Sequence, residues 1–392
     1  MSAVREMPEL STNPAVQLQP HPARMSAGSW FWRIVFVALL LGAAAATYLR
    51  VTEGLGGSTN LTDQFPWGIW VGFDVLCGVG LAAGGFTLVA TVHIFNIERY
   101  KPIVRPAILT AFLGYVLVVF ALMFDLGMPH RVWHPLIMWN PHSVMFEVGW
   151  CVTLYTTVLS LEFAPVVLER FQMTRTLKLL KMISVPLVIM GVILSTLHQS
   201  SLGTLYLIVP TKLYPLWYTP LMPLQFFVSA ICIGLVMTIF ESWHSSRAFG
   251  HQLEYPLLNG MGRLAAVLMS VYLTIRFLDL LHRGVLPLLL IPRTETYLFV
   301  VEIALLAIPT VLLFSSKIRQ VPVALYALSL TMILGFIANR LNVAITGMQA
   351  SSGVFYLPKW SEAVVTAAII ALGFAIFRFA ARNLPIFVDA EE

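Results

Sequence analysis

The chain has 392 residues, of which 58% are hydrophobic and only 11% charged, and its formal net charge is +5. So few polar residues exclude an ordinary soluble globule, since even a large α/β enzyme with a deep core needs a polar surface. Apolar runs of about 20 residues recur along the whole chain, the signature of an all-α, polytopic membrane protein.

Residues 1–28 are polar, carry several prolines and show no apolar period, so they read as a disordered tail. No short apolar core leads to a small-residue cleavage site, and no cleaved signal peptide is expected. Residues 29–392 read as one transmembrane domain. Ten segments qualify as spans: 30–49, 69–95, 106–124, 143–167, 182–198, 220–241, 262–281, 296–314, 321–340 and 360–379. Each is close to the ~20 residues that cross a hydrocarbon core of ~30 Å.

Ten spans put both termini on one side. Of the 24 Lys and Arg residues, 16 fall on that side and 7 on the other, with Arg276 inside a span. The basic excess marks the cytoplasmic side, so both termini are expected in the cytoplasm. The positive charge is spread over several short loops, so it signals topology, and no nucleic-acid surface is expected.

The third segment ends "FDLGMPHR" and the fourth starts "SVMFEVGW". The seventh ends "LDLLHR" and the eighth starts "TYLFVVEIAL". In both places an acid closes one segment, His-Arg follows, and a second acid (Glu147, Glu302) lies near the start of the next. This echo predicts two parallel four-helix bundles, segments two to five (about 69–198) and six to nine (about 220–340), with segments one and ten outside.

A charge in hydrocarbon costs at least ~2.5 kcal/mol, so each intramembrane charge needs an explanation. Glu147 has no basic neighbour on its own segment. Glu162 lies on the same segment, about 22 Å further along a helix. Glu241 ends the sixth segment. With Tyr115, Tyr155 and His198 between, these acids read as a proton path; the plainer reading is structural pairs or headgroup-level acids. Arg276 and Asp279, three apart, read as a structural ion pair with Glu302 as neighbour.

A membrane b-haem needs two imidazoles facing each other at mid-depth. His93, His198 and His282 sit at segment ends and His130, His134 and His142 in a loop, so no haem is expected. A zinc site from Asp125 and the three loop histidines is interrupted by Pro135 and Pro141 and has no Cys, so no metal is expected. Trp133 and Trp139 read as an aromatic belt. Cys77, Cys151 and Cys232 fall inside spans without a CxxC, so they read as packing residues, and no iron–sulfur cluster is expected in this chain. The patch "HQSSLGTLY" at 198–206 offers groups that can hydrogen-bond a quinone carbonyl, or is an ordinary polar helix end.

Long stretches, "FPWGIWVGFDVLCGVGLAAGG", "LGYVL", "HSVMFEVGWCVTLYTTVLSLEFAP", "LHQSSLGTLY", "PLWYTPLMPL" and "YLPKWSEAVV", resemble the NrfD/PsrC superfamily of integral membrane subunits. Within it they are most similar to the HybB group, from hydrogenase-2-type nickel–iron hydrogenases. The resemblance runs from about residue 60 to 380. It implies two four-helix bundles with flanking helices, a quinone (menaquinone or ubiquinone) bound near the outer face, and a link to proton transfer. It also implies a ferredoxin-like 4Fe–4S subunit docked on the periplasmic face, fed by nickel–iron small and large subunits. Matching motifs assign Asp74, Asp125, His142, His198 and Gln199 to the quinone. They assign Glu147, Tyr115, Glu162, His198 and Glu241 to proton transfer. A near alternative is the same role in a molybdenum or multihaem complex. A remote one is a secondary transporter, against which no helix pair is broken by Gly or Pro at matched mid-membrane positions.

Overall fold

Ten helices among the described residues are long and apolar enough to cross a membrane. The computed structural model describes residues 27–250 and 252–387; all but the last two residues of the expected tail, 1–28, lie outside them. The helices are α1 (Ala27–Thr52), α2 (Trp70–His93), α3 (Lys101–Asp125), α4 (Val144–Arg170) and α5 (Ser184–Thr204). After them come α6 (Met222–Phe249), α7 (Tyr255–His282), α8 (Thr294–Phe314), α9 (Pro322–Ser352) and α10 (Trp360–Asn383). No strand occurs among the described residues. The near end is where α1 begins and α10 finishes; the far end carries the α3–α4 connection.

Helix ends are closed by side chains. Ser143 accepts from the Phe146 N–H at the start of α4. Gly250, at φ 78°, ends α6 in the left-handed conformation that glycine adopts without strain. Arg50 donates to the carbonyls of Phe124 (2.8 Å) and Leu126 (2.5 Å), capping α3. Arg319 does the same for α8, at Leu313 and Phe314.

Helices α2, α3, α4 and α5 pack in succession, and α5 returns against α2. Helices α6 to α9 make a second such ring, closed by α9 on α6. Helix α10 packs on α1, α3 and the start of α2. The rings meet where α6 lies on α2 and α5. There Gly84 faces Gly234: a Cβ on Gly84 would stand 2.7 Å from the Gly234 carbonyl oxygen, and one on Gly234 2.6 Å from the Gly84 nitrogen. Small residues let two membrane helices touch backbone to backbone. One buried apolar cluster fills the near half and another the far half, each drawing on both rings.

Two helices depart from regular α geometry. Helix α2 opens with a π-helical turn, Trp70–Val75, and α9 carries another, Asn342–Thr346. The two turns touch, and a Cβ on Gly72 would come 3.0 Å from that of Ala344. Such turns leave backbone groups off the regular ladder and recur at functional sites.

Several helices outrun their apolar segments. Helix α5, expected to stop at 198, runs to Thr204, so His198 lies inside it rather than at its end. Helix α6 runs eight residues past Glu241. Helix α9 runs to Ser352, so Arg340, expected at the outer end of its span, is a buried residue inside a longer helix. Apolarity marks hydrocarbon depth, whereas backbone hydrogen bonding continues through polar residues.

Candidate functional site

The candidate site lies in the first ring, along the inner face of α4. At about 100° per residue, Glu147, Cys151, Tyr155 and Glu162 fall within an arc of about 80°. Helix α5 faces them with Gly191, Ser195 and His198 at the same helical period. Helix α3 contributes Tyr115.

Tyr115 meets Tyr155 edge-on, with ring centroids 4.6 Å apart, and the His198 ring lies 5.6 Å from Tyr115. Ser195 neighbours Tyr155. Tyr115, Tyr155, Ser195 and His198 have no exposed surface. The hydroxyls of Tyr115, Tyr155, Ser195 and Tyr206 and both nitrogens of His198 have no hydrogen-bond partner among the described residues. A buried polar group without a partner costs about 1–3 kcal/mol. Five side chains with that deficit in one ring make a site equipped to hold a polar ligand or hand on a proton. Tyr206, just beyond α5, touches Trp67, and burial pushes its phenol well above the ordinary value.

The ends of the line differ. Glu147 is exposed at the far end. Glu162 sits toward the near end, with Oε1 3.0 Å from where a Cβ on Gly191 would stand. Glycine at 191 thus leaves the carboxyl its room.

In the second ring one buried acid has all its partners. Glu302 has no exposed surface and accepts from Trp217 Nε1 (2.8 Å), Asn339 Nδ2 (2.8 Å) and Asn342 Nδ2 (2.9 Å). Arg276 Nη2 lies 2.9 Å from Glu302 Oε1. The expected Arg276–Asp279 pair is therefore not made: Arg276 turns to Glu302 on α8. Asp279 instead pairs with Arg283 (2.8 Å) and accepts from Thr219 (2.7 Å). A facing helix offers Arg276 a buried carboxylate, while Asp279 finds a partner one turn along α7. Arg340 is also buried; it donates to Asn339 Oδ1 and Ser229 Oγ and lies over the Phe226 and Phe336 rings.

The five residues assigned to quinone do not gather in one place. Asp74 is buried and accepts from Thr366 at 2.7 Å. Asp125 is its electrostatic neighbour, beside Arg50 and Glu362, with Oδ1 unpartnered. Glu362, fully buried, accepts from Tyr356 at 2.6 Å, and burial and this bond raise the Tyr356 phenol well above the usual range. His198 and Gln199 lie in the first ring, where Gln199 donates to the Val79 carbonyl at 3.1 Å. His142 is exposed in the α3–α4 connection. Glu241 lines a separate cleft between the rings.

Among the described residues no group of three or more His, Cys, Asp or Glu side chains could hold a metal ion. His198 alone of the described histidines is buried. Tyr206 closes the singled-out patch at 198–206, whereas Ser195, Arg340, Asn339, Asn342 and Glu362 were not assigned to a site from the sequence. For Ser195 a signal exists, the spacing 191, 195, 198 on one helical face. For the others none does, because their partners are remote in the chain.

The chain matches the family described as "Polysulphide reductase, NrfD" over residues 57–351. It is 36% identical over 367 residues to a protein of Nitratidesulfovibrio vulgaris, covering 91% of this chain and 94% of that one. It is 31% identical over 362 residues to the "Probable Ni/Fe-hydrogenase 2 b-type cytochrome subunit" of Escherichia coli, covering 90% and 91%. It is 30% identical over 407 residues to the "Menaquinone reductase, integral membrane subunit" of N. vulgaris, covering 94% of each.

Proposed function

We propose, from the premise that the chain belongs to the NrfD family, that it is the quinone-reactive membrane subunit of a nickel–iron hydrogenase complex. The line of unpartnered buried polar atoms in the first ring carries this reading.

A bound quinone supplies a ring that takes up two electrons and two protons. The orphaned groups of His198, Tyr115, Tyr155 and Tyr206 fit the needs of its two carbonyls. His198 and Gln199 hold the ring, whereas Asp74 and Asp125 stand apart from it with Thr366 and Arg50, and His142 lies on the exposed far-end connection. Glu147, at the exposed end of α4, exchanges protons with the far face. Tyr115, Tyr155 and His198 relay them, since each can both donate and accept. Glu162 serves the near end, while Glu241, expected to share that task, lines the separate cleft between the rings. The chain has no haem and no iron–sulfur cluster of its own in this reading: among the described residues His198 is the one buried histidine, and a b-haem needs two facing imidazoles.

Electrons arrive from a ferredoxin-like 4Fe–4S subunit on the far face, fed by nickel–iron small and large subunits. The far face is periplasmic, both termini are cytoplasmic, and the membrane is a bacterial inner membrane, in keeping with the distribution of basic residues. The same role in another complex is the second reading, favoured by the likeness to a menaquinone reductase subunit over 94% of the chain.

The deciding experiment is purification of the tagged chain from native membranes, followed by hydrogen-driven reduction of a soluble menaquinone analogue. Co-purified nickel–iron subunits and hydrogen-driven turnover that falls at least about tenfold in His198→Leu are expected. A different catalytic subunit refutes the hydrogenase assignment. Full turnover in His198→Leu refutes the site.

A further inference from the structure

A cleft of about 700 Å³ runs between the two rings, separate from the line of tyrosines. Its size is in the ~300–1,000 Å³ range of ligand sites. Helix α2 forms its floor, α3 and α10 one wall, α6 and α9 the other. Helix α10 packs on α1 and α3, and α9 packs on α6 and α8. On their facing edges Leu334, Ile370 and Phe374 line the cleft yet remain 49%, 40% and 61% exposed. The cleft therefore opens sideways, toward the hydrocarbon.

Its polar groups are few and placed by depth. The Thr366–Asp74 bond sets the upper level on α10. Arg378 lies twelve residues on, about 18 Å nearer the near end. It lines the cleft and makes no ion pair or hydrogen bond among the described residues. Ser245 and His244 of α6 line the same end, and one turn deeper Glu241 holds an unpartnered carboxyl oxygen.

We propose that this cleft binds one aminophospholipid of the phosphatidylethanolamine class. Its phosphate rests on Arg378, its ammonium on Glu241, and an acyl chain lies along α2 between α10 and α9. A guanidinium presents paired donors that match a phosphate. One cation and one carboxyl on facing walls suit a zwitterionic headgroup better than a purely anionic one. An uncharged isoprenoid quinone would fill the apolar part and make no use of the exposed guanidinium of Arg378. The lipid thus fills the space between α10 and α9 beside the crossing of α2 and α6.

Native mass spectrometry of the purified complex in detergent tests this, with phosphatidylethanolamine, phosphatidylglycerol and menaquinone added in turn. One phosphatidylethanolamine per chain is expected to survive delipidation. Its retention should fall at least about tenfold in Arg378→Gln and vanish in Leu334→Trp, which fills the mouth. Val311→Trp, on the 69% exposed face of α8, should retain it. Retention of only phosphatidylglycerol or menaquinone overturns the proposal. So does the absence of retained phospholipid in the wild type, or equal retention in Arg378→Gln.

Discussion

Removing the two partners of the Arg276–Glu302 pair one at a time should give unequal results. In Glu302→Leu, Arg276 loses its carboxylate, and the donors of Trp217, Asn339 and Asn342 lose their acceptor. An unpaired buried charge costs about 3–5 kcal/mol, and three orphaned donors about 1–3 kcal/mol each. The loss is about 6–14 kcal/mol, as large as the ~5–15 kcal/mol that holds a typical domain folded. In Arg276→Met, Glu302 keeps all three donors, and Arg340 remains as the only buried cation beside it, so the loss stays near 3 kcal/mol. Thermal unfolding of the detergent-purified chain, with its level in the membrane, measures both. Glu302→Leu should leave little folded protein, while Arg276→Met should fold with a lowered midpoint. Equal losses, or normal accumulation of Glu302→Leu, would refute the account of the second ring.

Three more outcomes follow from the first ring and the helix crossing. Tyr155→Phe should leave stability within about 1 kcal/mol, since its hydroxyl has no protein partner to lose; quinone turnover should drop at least about tenfold, and unchanged turnover would remove it from the relay. Gly191→Ala should fold normally but slow turnover several-fold, because the new methyl stands 3.0 Å from Glu162 Oε1; equal kcat would detach Glu162 from the path. Gly234→Val should abolish accumulation, because the Gly84 backbone nitrogen 2.6 Å from the new Cβ cannot move aside as a side chain would; wild-type levels in membranes would contradict that crossing.

The spans were legible because burying backbone in hydrocarbon demands long apolar helices, and little else in a sequence looks like them. Their ends were not. Hydropathy falls at "HQSS", yet α5 hydrogen-bonds on to Thr204, and that difference moved His198 from a helix end into the interior. Arg340 shifted from the end of its span to the helix interior for the same reason. Ion pairing was misread where a local partner competed with a distant one: spacing along α7 pointed Arg276 to Asp279, while packing against α8 brought Glu302 to it. The relay face of α4 was half legible, since Tyr155 and Glu162 were singled out but their alignment with Ser195 depends on how α5 turns toward them.

Arg340 and the saturated Glu302 have a consequence for a membrane that stores voltage. Moving one elementary charge across 100 mV is worth about 2.3 kcal/mol, and any unguarded polar passage would dissipate that store. A guanidinium is always protonated, and this one stands among aromatic faces with no carboxylate of its own. Glu302 beside it has its oxygens already engaged. To a stray proton or sodium ion, Glu302 offers no vacant oxygen lone pair, and the fixed charge of Arg340 beside it repels both.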